Sequence, residues 1–296
     1  PYINLYSGPE WYVSENGNDI SAFGSVEDPF RSIQAAINFS LQGDSISVSS
    51  GIFQESIYLN SKNIKIVGSG QEQTVIDANL LDRAITIENS ESLIEGFTVK
   101  GGYSTNYGNG LNLTNSNSII KNCTFVENYN GHLGIHATND AKIVNCIFLD
   151  QYEQSFPIYI ENNSRGGDFV NCLIDADGLA NAFGLNGYPS LMNCTVFDYT
   201  DVAYNASGEG DASIINSIFS PSNDYPNATV AMSNNIDRIN IHISHSIFPE
   251  QGVGHSSETG SVVYGENNIT GYPVFEDPSV KNMRLDDTSP AISAGV

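Results

Sequence analysis

One six-residue phrase recurs seven times between residues 94 and 248, and it constrains the fold more than any other feature of the chain. The six positions of each copy are, in order, an inward residue, a spacer, a turn residue, an inward residue, a spacer and an inward residue. The copies are Ile94–Val99, Ile120–Phe125, Ile143–Phe148, Phe169–Ile174, Leu191–Val196, Ile214–Phe219 and Ile243–Phe248. Their turn positions, 96, 122, 145, 171, 193, 216 and 245, lie 22 to 29 residues apart. This repeat, with its period-two alternation, predicts a solenoid of β-strands.

A second apolar alternation precedes each turn within the same repeat, as at Leu111–Leu113 and Ile158–Ile160. Three short strands and three bends fit into each repeat, and successive turns of the coil would lie about 4.8 Å apart. We therefore predict an all-β fold, a right-handed parallel β-helix with three short strands per rung. Residues 1–296 would form a single domain, with an N-terminal cap region at 1–44, rungs at 45–270 and a C-terminal cap at 271–296.

Two columns of identical residues follow from the register. Asn occupies five of the seven turn positions, and Asn tolerates the left-handed conformation that a sharp bend requires. Stacked Asn side chains would also hydrogen-bond along the axis, so we interpret this column as structural. The cysteines, at 123, 146, 172 and 194, share one inward position. Parallel stacked side chains present poor disulfide geometry, so we expect buried free thiols.

The two ends of the chain differ from the middle. Asp28-Pro29 has the form of a helix start, and Phe30, Ile33 and Ala36 then lie on one apolar face. A short amphipathic helix there would cover the open first rung. From Gly271 onward the repeat is lost and prolines become frequent, which predicts an irregular C-terminal cap.

The charge of the chain restricts its partners. Eleven basic residues against 34 acidic ones give a net charge of −23, which argues against binding to nucleic acid or to an anionic membrane. The sequence contains no transmembrane run, so we expect no membrane insertion. Because the chain starts at Pro1, we expect a trimmed part of a longer precursor that is secreted or displayed on the surface of a bacterial cell.

The two ends also carry a family resemblance. The segments Trp11–Ser14, Pro29–Ile37, Gly43–Ile46 and Gly51–Glu55 resemble the opening of the pectate-lyase-like right-handed β-helix superfamily. The segments Met283–Leu285 and Ser289–Gly295 are similar to the close of many bacterial secreted β-helix domains. The resemblance implies the fold over nearly the whole chain. It implies no single activity, because this fold carries lyases, hydrolases, methylesterases, adhesins and spacers.

The catalytic motifs of these enzyme families have no clear counterpart in the sequence. The polygalacturonase set is missing, and the methylesterase set lacks its second segment with the arginine. Pectate lyases need an acidic calcium-binding group and an arginine base, yet Arg165 is the only arginine between Arg83 and Arg238. No catalytic residue therefore transfers from the resemblance to this chain.

A groove on one strand face is the first candidate site. The outward positions of the second strand signal include Asn112, His136 and Tyr159, with Arg165 and Asp168 on the bend that follows. We expect His136 and Tyr159 to be neighbours on adjacent rungs, where they would act in acid–base chemistry or stack on a sugar. Together with Arg165 and Asp168 they are the catalytic candidates. The alternative is a solvated strand face with ordinary polar residues.

An acidic column is the second candidate site. Glu127, Asp150 and Asp198 follow the Asn turn by five residues, and Asp175 and Asp177 flank the same position in the rung between. Stacked carboxylates repel each other unless a cation intervenes, and oxygen-only ligands suit Ca²⁺. The column therefore predicts a calcium site. The alternatives are that the carboxylates point apart into water, or that they serve as the acid and base of a glycosidase.

Two classes of function remain. The first is an extracellular or cell-surface module that binds polysaccharide or a cell-surface glycan without catalysis, or that acts as a spacer or adhesin. The second is a polysaccharide lyase or glycoside hydrolase. Within the first class, Asn112, His136 and Tyr159 would bind sugar, helped by Tyr129 and Tyr152, which lie two residues beyond Glu127 and Asp150 at the groove edge.

Overall fold

The computed structural model describes residues 8–136, 140–150, 156–206, 209–226, 228–233, 239–249 and 261–293. Within these ranges three parallel sheets wind into a right-handed parallel β-helix with three strands per rung, as predicted. The solenoid has about eight turns and almost no helix. Among the described residues, no helix has the length and apolarity needed to cross a membrane.

Each sheet stacks strands from successive rungs, one strand from a rung. Sheet I contains Glu10–Val13, Ser45–Val48, Lys65–Gly68, Leu93–Glu95, Ile119–Lys121, Lys142–Val144, Asp168–Val170, Ser190–Met192, Gly210–Ile215, Ile239–Ser244 and Ser261–Tyr264. Sheet II contains Gly51–Phe53, Thr74–Asp77, Thr98–Lys100, Thr124–Val126, Ile147–Leu149, Leu173–Asp175, Thr195–Phe197, Ile218–Ser220, Ile247–Phe248 and Ile269–Thr270. Sheet III contains Ile57–Asn60, Ile85–Glu88, Leu111–Thr114, Leu133–His136, Ile158–Ser164, Phe183–Gly187, Val202–Ala206 and Thr229–Ser233.

The core consists of stacked inward side chains, because the same position of each rung carries an apolar residue. Ile120 pairs in register with Ile143, and Phe125 pairs with Phe148. The two phenyl rings stack with centroids 5.0 Å apart and planes 7° apart. The four cysteines are buried and free, as predicted, and each thiol lies within hydrogen-bonding distance of backbone carbonyls.

The Asn column is the hydrogen-bonded ladder that the sequence predicts. The turn between sheet I and sheet II has a left-handed residue in rung after rung, including Asn122, Asn145 and Asn171 with φ of 52°, 52° and 55°. The Nδ2 atom of each Asn donates to the Oδ1 atom of the Asn in the preceding rung, over 2.7 to 3.1 Å from Asn145 to Asn216. The ladder therefore gives hydrogen-bond partners to polar side chains that lie close together where the turns stack.

The N-terminal helix is present but begins later than the sequence suggested. It spans Ile33–Phe39, and its N-cap is Ser32, whose Oγ accepts from the Ala35 N–H over 3.1 Å. Asp28 instead accepts from the Phe23 N–H in the preceding loop. The predicted cap region also supplies the strand Glu10–Val13, which pairs with Ser45–Val48 and starts sheet I.

The C-terminal cap is irregular in part. It contains one antiparallel strand pair, Phe275–Asp277 with Asn282–Leu285, and two short 3₁₀ helices, Pro278–Val280 and Pro290–Ser293. Lys281, in the left-handed conformation, connects the first 3₁₀ helix to the second strand. The cap folds back against the rungs, since Lys281 contacts Asp150 and Asp175 of earlier rungs.

Candidate functional site

Sheet III carries two outward columns that together form the floor of a groove. The first column runs through Thr86, Asn112, Gly134, Tyr159 and Gly184. The second runs two residues further along each strand, through Glu88, Thr114, His136 and Glu161. The groove encloses about 510 Å³, and it is bordered on one side by Arg83, Asn106 and Tyr107 from the bends beside the sheet.

His136 and Tyr159 lie on adjacent rungs, as expected, but they are not register partners. Tyr159 pairs with Gly134, and His136, the last residue of the strand Leu133–His136, pairs with Glu161. The centroids of the His136 and Tyr159 rings are 6.1 Å apart. The two side chains therefore meet diagonally across the groove floor.

The groove contains an aromatic pair that sequence reasoning only half identified. The ring of Tyr107 lies against that of Tyr159 with centroids 4.3 Å apart and planes 32° apart. Phe156 supports Tyr107 at a centroid distance of 6.2 Å. Tyr107 is 40% exposed, so the pair presents the outer side of Tyr107 to solvent.

Asn112 lies on the floor beneath this wall and is almost fully buried. It is 3% exposed although it points out of the coil, because the bend at residues 101–110 covers it. Its Nδ2 donates to Thr114 Oγ1 over 3.1 Å. Its Oδ1 is buried and has no hydrogen-bond partner among the described residues. A buried acceptor of this kind, without a partner, is uncommon in folded proteins.

Arg83 provides the positive charge at the groove wall. Its Nη2 approaches the Tyr107 carbonyl oxygen at 3.5 Å, and its buried Nε has no partner within the described part of the chain. Burial lowers the pKa of the Arg83 guanidinium, whereas the carboxylates of Asp82 and Glu88 act in the opposite direction. Arg83 stays charged, and its charge is balanced locally.

His136 is held by a carboxylate. Its Nδ1 contacts Glu161 Oε2 at hydrogen-bond distance, which fixes the orientation of the imidazole ring. Tyr159, the other candidate for acid–base chemistry, has a raised pKa because of burial, the Glu161 carboxylate and Tyr107. Its phenol therefore remains protonated at neutral pH, as a hydrogen-bonding group and not as a base.

Three of the predicted residues, Arg165, Asp168 and Tyr129, lie outside the groove lining. Arg165 contacts Asp168 and, at 3.4 Å, Asp140, which places this ion cluster where sheet III leads back into sheet I. Tyr129 packs edge-on against Tyr103 at a centroid distance of 5.4 Å. Tyr152 lies outside the described residues.

Six groove residues were missed, namely Arg83, Glu88, Asn106, Tyr107, Thr114 and Glu161. Period two would have identified Glu88, Thr114 and Glu161, since each lies two residues beyond an outward position of its strand. Arg83 and Tyr107 lie on bends, where no periodicity marks which residues turn toward the sheet.

The acidic column lies on a different corner of the coil, between sheets II and III. Glu127, Asp150, Asp177 and Asp198 all have left-handed backbone, with φ of 48° to 56°. Oxygen atoms of Asp150, Asp175 and Asp177 lie within 4.8 Å of one another. Glu127 contacts Lys100 at 3.7 Å, and Asp198 lines a cavity of about 520 Å³ with Asp175 and Asp177.

A cation from the protein itself reaches this cluster. Lys281 Nζ donates to Asp150 Oδ1 over 2.5 Å and also to Asp175 Oδ2. Burial disfavours the charge of Lys281, but the two carboxylates outweigh it and raise the pKa of its ammonium. The oxygen-only donor set suits calcium, yet two of the three carboxylates already bind this ammonium. Lys281 therefore joins the C-terminal cap to the acidic column.

Comparison with known proteins bears on the fold. The sequence matches no family model and no curated protein sequence. Similar solved structures include a rhamnogalacturonan lyase, with a TM-score of 0.64, 12% identity, and coverage of 95% of this chain and 96% of that chain.

A pectin methylesterase from carrot gives a TM-score of 0.51 at 12% identity, covering 93% of this chain and 90% of that one. A pectate lyase gives a TM-score of 0.50 at 15% identity, covering 95% of this chain and 73% of that one. At such identities the likeness shows the fold alone. The protein therefore has the right-handed parallel β-helix fold of the pectate-lyase-like proteins.

Proposed function

We propose that this protein binds a polysaccharide chain in the groove on sheet III, as a non-catalytic module at or outside the cell surface. The neighbouring structures named for pectic polysaccharides support a carbohydrate ligand. The groove has the composition that sugar binding needs, with aromatic rings beside a few convergent polar groups.

The single observation that carries the proposal is the close, tilted packing of the Tyr107 ring against the Tyr159 ring. Tyr159 and Phe156 hold Tyr107 in place, so its exposed side costs little further ordering when a ligand packs against it. Pyranose rings have apolar faces that pack on such aromatic side chains. The outer face of Tyr107 is therefore the surface on which we expect a sugar ring to lie.

The spacing of the groove carboxylates favours binding over hydrolysis. Glu88 and Glu161 occupy the same column three rungs apart, which corresponds to about 14 Å at a rung spacing of about 4.8 Å. Glycoside hydrolases place their two carboxyl groups about 5–5.5 Å or about 6.5–9.5 Å apart. This pair therefore does not fit either geometry.

A second candidate function, a polysaccharide lyase or hydrolase, is favoured by the contact between His136 and Glu161. A histidine whose orientation a carboxylate fixes is a common form of general base. The release of reducing ends or double bonds from a polysaccharide panel distinguishes the two functions. Product that disappears in His136→Gln would establish catalysis, whereas binding without product supports the module.

Binding is tested with a glycan array followed by calorimetric titration of the wild type, Tyr107→Ala and Tyr103→Ala. Tyr103 is a matched control, since it is 44% exposed and lies in the same bend but outside the groove lining. We expect Tyr107→Ala to weaken binding by about three- to tenfold, as an aromatic contact of this kind contributes, and Tyr103→Ala to leave it unchanged. Equal losses in both variants would contradict the placement of the sugar on Tyr107, and the absence of any bound glycan would favour a spacer.

A further inference from the structure

We infer that the groove selects a neutral, hydroxyl-rich glycan and rejects polyuronates. This inference rests on the proposed function, because it takes the groove on sheet III as the glycan site. It is carried by the polar atoms that the protein leaves without partners, together with the charges that surround them. Each of these restricts what a ligand must offer.

The Oδ1 atom of Asn112 requires a donor. Asn112 is almost fully buried, with an exposed fraction of 3%, and its amide nitrogen already donates a hydrogen bond to Thr114 Oγ1. The groove therefore contains an acceptor, and no donor among the described residues reaches it. A sugar hydroxyl supplies that donor. A uronate carboxylate offers only acceptor oxygens, so a polyuronate would have to place a ring hydroxyl, and not its carboxylate, at Asn112 Oδ1.

The Nε atom of Arg83 requires an acceptor from the same ligand. It is buried and has no partner in the described part of the chain, and Arg83 lines the groove together with Asn112. A hydroxyl group is both a donor and an acceptor, so a pyranose with two free hydroxyls satisfies both protein atoms. A carboxylate satisfies Arg83 alone, and a polyuronate, which also carries ring hydroxyls, is rejected by charge and not by these two atoms.

The charges around these two atoms oppose an anionic ligand. The carboxylates of Glu88 and Glu161 line the groove, and the Arg83 charge is already offset by Asp82 and Glu88. Glu88 also accepts from the Tyr58 hydroxyl over 2.8 Å, which holds the carboxylate beside the sheet. The chain as a whole carries a charge of −23. A polyuronate would therefore meet repulsion at long range and again within the groove.

The experiment compares neutral oligosaccharides, namely cello-, xylo- and galacto-oligosaccharides, with polygalacturonate. Binding of each probe to the wild type and to Arg83→Gln is measured by titration calorimetry at low and at high salt concentration. Arg83→Gln removes the charge but keeps a hydrogen-bond donor. We expect binding of at least one neutral probe, no binding of polygalacturonate, and an affinity that salt leaves unchanged. Arg83→Gln should weaken the binding of the neutral probe by about tenfold at most, as expected for the loss of a neutral hydrogen bond.

Asn112→Leu provides a second readout, because leucine has nearly the same shape without polar atoms. We expect it to weaken the neutral probe by about tenfold and to raise the melting temperature of the free protein, since it removes an unsatisfied buried acceptor. The opposite result is that the wild type binds polygalacturonate, with an affinity that salt weakens and that Arg83→Gln abolishes. That result would overturn the inference that the ligand is neutral, while leaving the groove as the binding site. If neither kind of probe binds, the proposed function falls together with this inference.

Discussion

Glu55 and Lys62 flank one strand of sheet III, Ile57–Asn60, and hold the two opposite ends of the capping helix. The Glu55 carboxylate accepts from the N–H groups of Ile33 and Gln34 over 2.8 and 2.9 Å. The Lys62 ammonium donates to the carbonyls of Ile37 and Ser40 over 2.6 and 2.7 Å. Each charge has the sign that the helix dipole favours at that end, so the first rung positions the cap that covers it.

We expect Lys62→Met to lower the free energy of unfolding by about 1–2 kcal/mol, because two helix carbonyls lose a charged donor while the apolar stem is kept. The control is Lys142→Met, since Lys142 is exposed on the strand Lys142–Val144 of sheet I. That variant should remain within about 0.5 kcal/mol of the wild type. Chemical denaturation followed by circular dichroism measures both, and equal effects would contradict a specific role for Lys62.

The core prediction concerns Phe148, which is fully buried and stacked on Phe125. We expect Phe148→Ala to cost about 3–5 kcal/mol, because neighbouring rungs hold the cavity open. Leu81→Ala, at a side chain that is 81% exposed, should change stability by less than about 0.5 kcal/mol. Denaturant titration of both variants checks the register, and a cost at Phe148 similar to that at Leu81 would contradict it.

The sequence predicted the solenoid and its inward columns because they depend on local alternation repeated many times. One recognised turn, such as Asn145, fixes the inward positions on both sides of it. The start of the capping helix was harder to predict. Asp28-Pro29 and Ser32 both have the form of an N-cap, and Asp19 decides between them by accepting from the N–H groups of Arg31 and Ser32.

The groove was predicted only in part, for a related reason. Asn112 and Tyr159 follow from period two, and so do their neighbours in the second column. Tyr107 reaches the groove because its bend folds over sheet III, where Gly108 lies close to Gly134. A Cβ atom built on Gly134 would lie 3.1 Å from the Gly108 Cα. Contacts of this kind join distant parts of the chain and leave no periodic mark in the sequence.

A buried histidine outside the groove predicts the acid sensitivity of the fold. His132 is fully buried, and its Nδ1 lies 3.2 Å from Asn128 Nδ2. Burial lowers the pKa of His132 to about 3, and Lys281 acts in the same direction, against Asp150 and the Leu149 backbone. The pKa of histidine in the unfolded chain is about 6.5. Between about pH 3 and about pH 6.5, His132 is therefore protonated in the unfolded state and neutral in the folded state.

The stabilisation from neutral His132 is thus complete above about pH 6.5 and is lost as the pH falls toward about 3, by a total on the order of 5 kcal/mol. We expect His132→Gln to flatten the decline of stability over this range. His242→Gln, at a side chain that is 52% exposed, serves as the control and should leave the decline as it is. Denaturation at a series of pH values measures the slopes, and parallel slopes for the wild type and His132→Gln would contradict this account.

A calcium ion at the acidic column would compete with Lys281 for its carboxylates. Calcium at Asp150, Asp175 and Asp177 would have to displace the Lys281 ammonium, which binds two of them. We therefore expect Lys281→Ala to lower the melting temperature in the absence of calcium, because the buried Asp175 loses its cation. Added calcium should then raise the melting temperature of Lys281→Ala more than that of the wild type, in line with ligand linkage.

Introducing Asp177→Asn into Lys281→Ala should remove that gain, since Asp177 is the member of the cluster with no contact to Lys281 in the ion pairs described. Calorimetric melts with calcium and with EDTA measure each protein. If the melts of the wild type and Lys281→Ala are both indifferent to calcium and EDTA, the column binds no calcium. Its carboxylates would then anchor the C-terminal cap through Lys281 and otherwise face solvent.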